Sequence, residues 1–200
     1  METRDVGFLH ESEFMRRAAA TSQTVYEYAQ GLDFDLSTIY KAASKVGISD
    51  ADLNDLQHAD SGVRYWAVQA LMQPDHEGNL ILSPSQVTAL EAVLHDPSPA
   101  VALAAAEALT LADELNAEAI KVIAHYLQMN RELTTVLNAA MTAKRIGELA
   151  RPLIPVIEKE YTHYRGGVWN RYKNWYYPMF IGMAFDQIKI NCGIEVDLTR

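Results

Sequence analysis

Apolar residues recur at helical spacing along most of the chain, and one stretch of this pattern occurs twice. Residues 60–71 read DSGVRYWAVQAL, and residues 96–109 read DPSPAVALAAAEAL. When Val63 is placed on Val101, 38 residues later, three further apolar positions coincide. This offset is close to the roughly 40–47 residues of HEAT and armadillo repeats. The pattern therefore predicts a helical-repeat protein.

Each repeat is predicted to be a helical hairpin, because a second apolar-periodic segment at 84–95 separates the two copies. A third, more divergent hairpin follows, and its two apolar stripes consist of Leu133, Leu137, Ala140 and Met141, then Leu153, Ile157 and Tyr161. A single hairpin cannot bury its apolar face, so such units are stable only when they stack. The predicted fold is all-α, a short HEAT-type solenoid of about three hairpins.

The segments on either side of the repeats differ from them. Two short helices are predicted within residues 8–31, and a third follows at 35–47. The last helix is predicted from Val168 to about Asn191, and its core-facing stripe would be Tyr172, Trp175, Tyr176, Met179 and Met183. We therefore divide one continuous domain into N-terminal helices (1–59), HEAT-like repeats (60–165) and a C-terminal capping helix (166–200).

Composition and charge narrow the possible partners. The chain is 49% hydrophobic, which is ample for a sizeable core, and its formal charge is −9. Because nucleic-acid affinity depends on basic side chains that neutralise phosphates, this charge opposes a nucleic-acid partner. The charge is also uneven: residues 46–120 hold twelve acidic side chains and one base, Arg64, whereas bases predominate from Lys144 to Lys173.

The termini and the single cysteine point to no special compartment. Cys192 is alone, so neither an intrachain disulfide nor a cysteine metal cluster is expected. The N-terminal residues lack the charged and then apolar layout of a signal peptide. No apolar run approaches the roughly 18 residues of a membrane span, so no membrane partner is expected.

Three polar positions in the repeats have a predicted structural role. In stacked helical repeats, an arginine that follows the repeat valine typically bonds to an aspartate at a neighbouring turn. Here that arginine is Arg64, and the candidate acceptors are Asp60 and Asp96. We predict that the three residues form a structural ladder rather than a ligand site. A metal site at His58 and His95, which fall at equivalent repeat positions, is the less favoured alternative.

Residues 161–180 combine aromatic and basic side chains more densely than the rest of the chain. Helical spacing places only about half of the aromatic side chains on the core side. The others suit either a protein interface or stacking on a sugar. The candidate residues for either role are Tyr164, Arg165, Trp169, Arg171, Tyr172, Trp175 and Tyr177.

The sequence contains no recognisable catalytic motif. It has no glycine-rich phosphate loop, no Gly-x-Ser-x-Gly and no His-Glu-x-x-His, and no nucleophile stands beside a recognisable base. We therefore expect no catalytic residues, no bound cofactor and no metal, and we predict that the protein is not an enzyme.

Several stretches resemble the C-terminal extension of certain bacterial arylsulfatases. They are DVGFLHESEFMRR at 5–17, LSTIYKAA at 36–43 and DSGVRYWA at 60–67, while 96–109 resembles the second HEAT repeat of that extension. The resemblance covers nearly the whole chain. It implies an accessory HEAT-repeat domain, which in that family follows the catalytic domain.

The same resemblance separates this chain from sulfatase activity. Sulfatases of the family use a formylglycine made from the Cys or Ser of a Cys-x-Pro-x-Arg motif, beside a calcium site. Here Cys192 is followed by Gly-Ile-Glu-Val, so the motif is absent and no catalytic residue can be carried over.

The expected function is therefore a non-catalytic module for docking or oligomerisation. Its partner would be a sulfatase catalytic domain or a second copy of the chain. The alternative is an appendage that binds sulfated glycans through residues 161–180. By analogy with the family, the compartment would be periplasmic or extracellular.

Overall fold

The computed structural model of the protein describes residues 17–21, 37–46, 53–112, 116–128, 132–165 and 176–197, with the backbone alone for 162–165 and Tyr176. Every regular element in these ranges is an α or 3₁₀ helix, and none is a strand. The predicted all-α class is thereby confirmed. The predicted helices at 8–31 and the start of the last helix lie largely outside the described residues.

The apolar segments that were predicted to be helices of the three repeats are helical in the structure. The elements in chain order are α1 (Ser37–Ala43), a 3₁₀ helix (Leu53–Gln57), α2 (Ser61–Leu71), α3 (Pro84–Val93), α4 (Pro99–Ala112), α5 (Ala117–Tyr126), α6 (Leu133–Arg145), a second 3₁₀ helix (Gly147–Leu153), α7 (Ile154–Arg165) and α8 (Tyr176–Asn191). Residues 17–20 are also helical. None of the described helices is long and apolar enough to cross a membrane.

Helices α2 and α3 begin at residues that are typical helix caps. The Gly62 N–H donates to Asp60 Oδ1 at 2.7 Å. The Ser83 hydroxyl accepts from the Gln86 N–H at 3.3 Å, and the Gln86 side chain accepts from the Ser83 N–H at 2.7 Å, which is a capping box. Pro84 takes the first helical position, where a helix leaves the backbone N–H unbonded in any case. Local sequence therefore determines where these helices start.

Helix α4 lies at the centre of the protein. All of its residues from 100 to 110 are buried, so the helix is enclosed on every side. A helix that is apolar all round is expected to be buried in this way. Its many alanines let the neighbouring helices approach closely, because a methyl group adds little to the distance between helix axes. The single charged residue of this run, Glu107, pairs with Arg145 of α6.

Helices α2, α4, α6 and α8 form one row of successive contacts. Helix α2 contacts α4, α4 contacts α6, and α6 contacts α8. Helices α3 and α5 pack on α4, α5 also contacts α6, and α7 packs on α8. One hydrophobic core continues through these described elements, from Leu56 to Cys192. At the other end, Ile39 and Ala42 of α1 pack on Val63 of α2.

Helix α8 ends at a glycine in the left-handed conformation. Gly193 has a φ of +72°. Its N–H donates to the carbonyl oxygen of Ile190 at 2.9 Å, and the Ile194 N–H donates to that of Lys189 at 2.8 Å. These two bonds define a Schellman motif, and Ile194 packs against the core beside it. The predicted C-terminus of this helix is therefore correct.

The predicted core faces of α6 and α8 are wrong in part. Met183 was expected in the core but is 59% exposed, and Met141 is 37% exposed. Ala140 faces the core as predicted, and the other core-facing residues of the two helices are Val136, Ala139 and Ala143 of α6 and Ile181, Ala184, Phe185 and Ile188 of α8. Both helices carry large apolar residues on two faces, so the periodic pattern alone does not select the buried one.

The pKa of Asp60 makes the free energy of unfolding depend on pH in acid solution. Burial alone raises the pKa of this carboxyl, but Arg17 and the N–H groups of Gly62 and Val63 outweigh burial and hold the pKa below its ordinary value of 3.8. Arg17 Nη2 donates to Asp60 Oδ1 at 3.0 Å. A carboxyl whose pKa is lower in the folded than in the unfolded protein stabilises the fold. This stabilisation is complete at pH values above the pKa of the unfolded protein, and it is lost as the pH falls through the pKa of the folded protein.

We therefore expect Asp60→Asn to lower the free energy of unfolding by about 0.5–1 kcal/mol at neutral pH. The amide keeps the helix cap and loses the ion pair. Below pH 3.8 the difference from the wild type should shrink, because Asp60 becomes protonated as the pH falls through its lowered pKa, whereas asparagine is neutral at every pH. Urea unfolding across this range measures the effect, with Glu91→Gln on the exposed side of α3 as the control. Parallel pH profiles for the Asp60 variant and the wild type would contradict the assignment.

Candidate functional site

An apolar groove runs between α6 and α8 on the face that these helices turn away from the core. It has a volume of about 370 Å³. Its lining residues are Leu137, Met141, Lys144, Phe180, Met183, Ala184 and Gln187. The Asn191 side-chain amide donates to the Lys144 carbonyl oxygen at 3.4 Å, so the C-terminal ends of α6 and α8 lie together. The two helices therefore run side by side along the groove.

The groove is bordered by large apolar side chains that reach solvent. Met183 is 59% exposed, Phe180 is 47% exposed and Met141 is 37% exposed. Ile190, which continues the same stripe of α8, is 43% exposed. Single exposed apolar residues are ordinary on a protein surface, but a contiguous patch marks an interaction site. We take this groove as the candidate functional site.

The electrostatics of the groove depend on one lysine. Lys144 is the ionisable residue among the described groove residues, and its side chain is exposed at the end of α6. The ammonium of Lys189 on α8 is instead held by Glu158 of α7 at 2.7 Å and lies 4.7 Å from the centre of the Tyr161 ring. The groove thus combines an apolar floor with a positive end.

The described part of the predicted aromatic segment divides between core and groove. Tyr161 is half-buried, and its hydroxyl donates to the buried carboxylate of Asp186. Tyr177 is also half-buried, in the first turn of α8. Phe180 lines the groove. The other predicted interface or glycan-binding residues lie outside the residues whose side chains the structure describes, namely Tyr164, Arg165, Trp169, Arg171, Tyr172 and Trp175.

The predicted ladder residues form ion pairs with residues that are far away in the sequence. Arg64 donates through Nε to Asp96 Oδ2 at 2.6 Å and through Nη2 to Asp96 Oδ1 at 2.8 Å. Asp60 pairs with Arg17 instead. Arg64 of α2 therefore binds the turn that precedes α4. Asp60, just before α2, is bound by Arg17 from the N-terminal part of the chain.

A second ion pair connects α4 to α6. Arg145 Nε and Nη2 donate to the two carboxylate oxygens of Glu107 at 2.6 and 2.5 Å. Burial raises the pKa of the nearby Tyr65 hydroxyl, with Arg145 opposing this effect and Glu107 adding to it. Glu107 is buried, so this pair serves the packing of the row rather than forming an open site.

A cavity of about 350 Å³, lined by both charged and apolar residues, lies between α5 and the turn that follows α3. Lys121 donates to Glu118 at 2.6 Å, and this hydrogen bond with the charge of Lys121 lowers the pKa of Glu118. Asp96, on the same wall, is held by Arg64. In the part of the chain that the structure describes, no group of three His, Cys, Asp or Glu side chains could hold a metal ion. The carboxylates and the lysine that line this cavity are therefore already held in ion pairs.

Sequence reasoning missed Met141 and Met183 as groove residues. Both were assigned to the core because they continue apolar stripes at helical spacing. The signal that could have found them is the second apolar face of α8, formed by Phe180, Met183 and Ile190 at intervals of three and seven residues. When a helix with two apolar faces packs on the core with one of them, the other apolar face stays exposed at the surface.

Comparison of the chain with protein-family models, with curated proteins and with solved structures finds no match. The resemblance to the C-terminal extension of arylsulfatases is neither supported nor contradicted by these comparisons, and it stays a prediction. The function must therefore be argued from the fold and the groove.

Proposed function

We propose that the protein is a non-catalytic HEAT-type helical-repeat module that docks a protein segment in the groove between α6 and α8. The observation that carries the proposal is the exposure of Phe180, Met183 and Met141 around one groove. Methionine and aromatic side chains adapt to partner surfaces and are frequent in interfaces. Their clustering gives the module a place to bind.

The HEAT-type part of the proposal is supported by the repeat and by the packing. Val63 and Val101 occupy equivalent positions 38 residues apart, and the helices that contain them are neighbours in the row. Stacked helical repeats build extended surfaces from the helices of successive units, and they commonly use these surfaces for binding. The groove lies between two successive members of such a row.

The resemblance stated above supplies two candidate partners. One is a sulfatase catalytic domain, and the other is a second copy of this chain. Size-exclusion chromatography with light scattering, on the chain alone and mixed with such a catalytic domain, separates these partners. Both belong to the same proposed activity, which is docking.

Met183→Glu is expected to abolish docking while leaving the protein folded. The test is a selection from a displayed library of helical peptides with random surface residues, against the purified chain. We expect binders whose affinity falls about tenfold or more in this variant, because a charge would enter the apolar centre of the interface.

The matched control is Ile81→Glu. Ile81 is 73% exposed in the loop between α2 and α3, so the control adds the same charge at an exposed apolar position outside the groove. Its binding should equal that of the wild type. If the selection yields no peptide, or if the selected peptides bind the Met183 variant as tightly as the wild type, the proposed function is wrong.

A further inference from the structure

We infer that the occupant of the groove is an amphipathic helix whose apolar face is flanked by acidic residues. The inference rests on the proposed function and specifies its partner. It is carried by three features of the groove: its length, its charge and its limited area.

The groove is about as long as two helical turns. On α8 its lining runs from Phe180 to Gln187, and on α6 from Leu137 to Lys144. Each span covers about 10 Å at 1.5 Å per residue. A helix that lies in an apolar groove inserts side chains from positions i, i+3 or i+4, and i+7, which span the same distance. The dimensions therefore suit one face of a short helix.

The charge of the groove favours an acidic partner. Among the described residues, the Lys144 ammonium makes no hydrogen bond or ion pair. An acidic side chain beside the apolar face of a bound helix would meet Lys144 at the end of the groove. Complementary charges of this kind determine specificity and orientation.

The area of the patch favours a peptide segment over a second copy of the chain. Four partly exposed side chains, Met141, Phe180, Met183 and Ile190, present a few hundred Å² of surface. A standard stable interface buries about 800 Å² on each partner. A symmetric dimer would therefore need much more surface than this groove offers, whereas a helix of a few turns does not.

The test uses one groove-dependent peptide from the selection described above. It is synthesised in three forms that share the apolar face and carry glutamate, glutamine or lysine at the flanking positions. We expect the glutamate form to bind about threefold to tenfold more tightly than the glutamine form, and the lysine form to bind more weakly than both. The preference should shrink between about 0.1 M and 1 M salt, since the Debye length falls from ~10 to ~3 Å.

Lys144→Glu should reverse the order of the three peptides. Its matched control is Lys159→Glu on α7, which changes the net charge equally at a lysine that is 78% exposed and outside the groove. The control should keep the preference for glutamate. This comparison separates a local effect of Lys144 from the effect of overall charge.

Each remaining outcome overturns the inference in a distinct way. Groove-dependent peptides without a preference for glutamate would overturn the acidic helix but leave docking intact. A dimer in light scattering that Met183→Glu abolishes would make a second copy the occupant. Binding to anionic lipid vesicles that the same variant abolishes would make a membrane surface the occupant. A selection without any groove-dependent peptide would overturn the proposed function itself.

Discussion

Replacement of Arg64 by methionine is expected to lower the free energy of unfolding by about 3–5 kcal/mol. The side chains of Arg64 and Asp96 are only 11% and 5% exposed, and both carboxylate oxygens accept from the guanidinium. Arg64 Nη1 also donates to the carbonyl oxygens of His58 and Ala59 at 2.7 and 2.9 Å. Without the arginine, the buried carboxylate keeps the Ser98 N–H at 2.8 Å as its hydrogen-bond donor.

The double variant Arg64→Met with Asp96→Asn should recover part of this loss. The asparagine oxygen still accepts from the Ser98 N–H, and no unpaired charge remains buried. The control is Lys121→Met, which removes an ion pair whose side chains are 70% and 62% exposed and should change the free energy of unfolding far less than Arg64→Met does. Urea unfolding followed by circular dichroism measures all three proteins. Equal losses for the two single variants, or no recovery in the double variant, would contradict this account.

Two ion pairs, each with a buried carboxylate, explain how the row of helices keeps its order. Arg64 joins α2 to the turn before α4, and Glu107 joins α4 to Arg145 of α6. Alanine-rich helices pack closely, but small similar side chains discriminate poorly between alternative alignments. Paired charges oppose a shift in alignment, since moving the arginine away would leave the buried carboxylate of Asp96 or Glu107 unpaired. The position of α6, and with it one wall of the groove, therefore depends on these pairs.

The sequence was sufficient to locate the described α helices from α1 to α7 and the end of α8. The signals that locate them are local: the spacing of apolar residues, the caps at Asp60 and Ser83, and Gly193 at the end of α8. Such signals depend only on residues that are close together in the sequence. The partner of Arg64 was narrowed to two aspartates by the repeat alone. The Glu107–Arg145 pair was not predicted, because Arg145 lies outside the two aligned repeat copies and nothing in the sequence marked it as the partner of Glu107, 38 residues earlier.

The groove could be predicted only in part, because choosing the buried face of a helix requires knowledge of its neighbours. Phe180 fell within the predicted aromatic segment, whereas Met141 and Met183 were assigned to the core. On α8, apolar side chains occupy both faces, and packing against α6 and α7 selects the face that contains Phe185. The other face is then left at the surface. Tertiary packing, rather than periodicity, therefore determines the candidate site.

Phe185→Ala is expected to lower the free energy of unfolding by about 3–5 kcal/mol, because the phenyl ring on the inner face of α8 is fully buried in the core. Phe180→Ala, the same substitution five residues earlier on the same helix, should cost less than about 0.5 kcal/mol, because that ring is 47% exposed. Urea unfolding of the two variants measures this difference directly. Similar losses would mean that the two faces of α8 are not divided as described.

Peptide binding should show the opposite order. Under conditions where both variants are folded, Phe180→Ala should weaken a groove-dependent peptide about tenfold or more, because an aromatic anchor of the interface is lost. Phe185→Ala should bind it nearly as well as the wild type, since that ring faces the core. Loss of binding in the Phe185 variant alone would mean that the groove depends on core packing and not on its own exposed side chains. Loss of binding in the Phe180 variant alone would establish that α8 stabilises the fold with one face and binds a partner with the other.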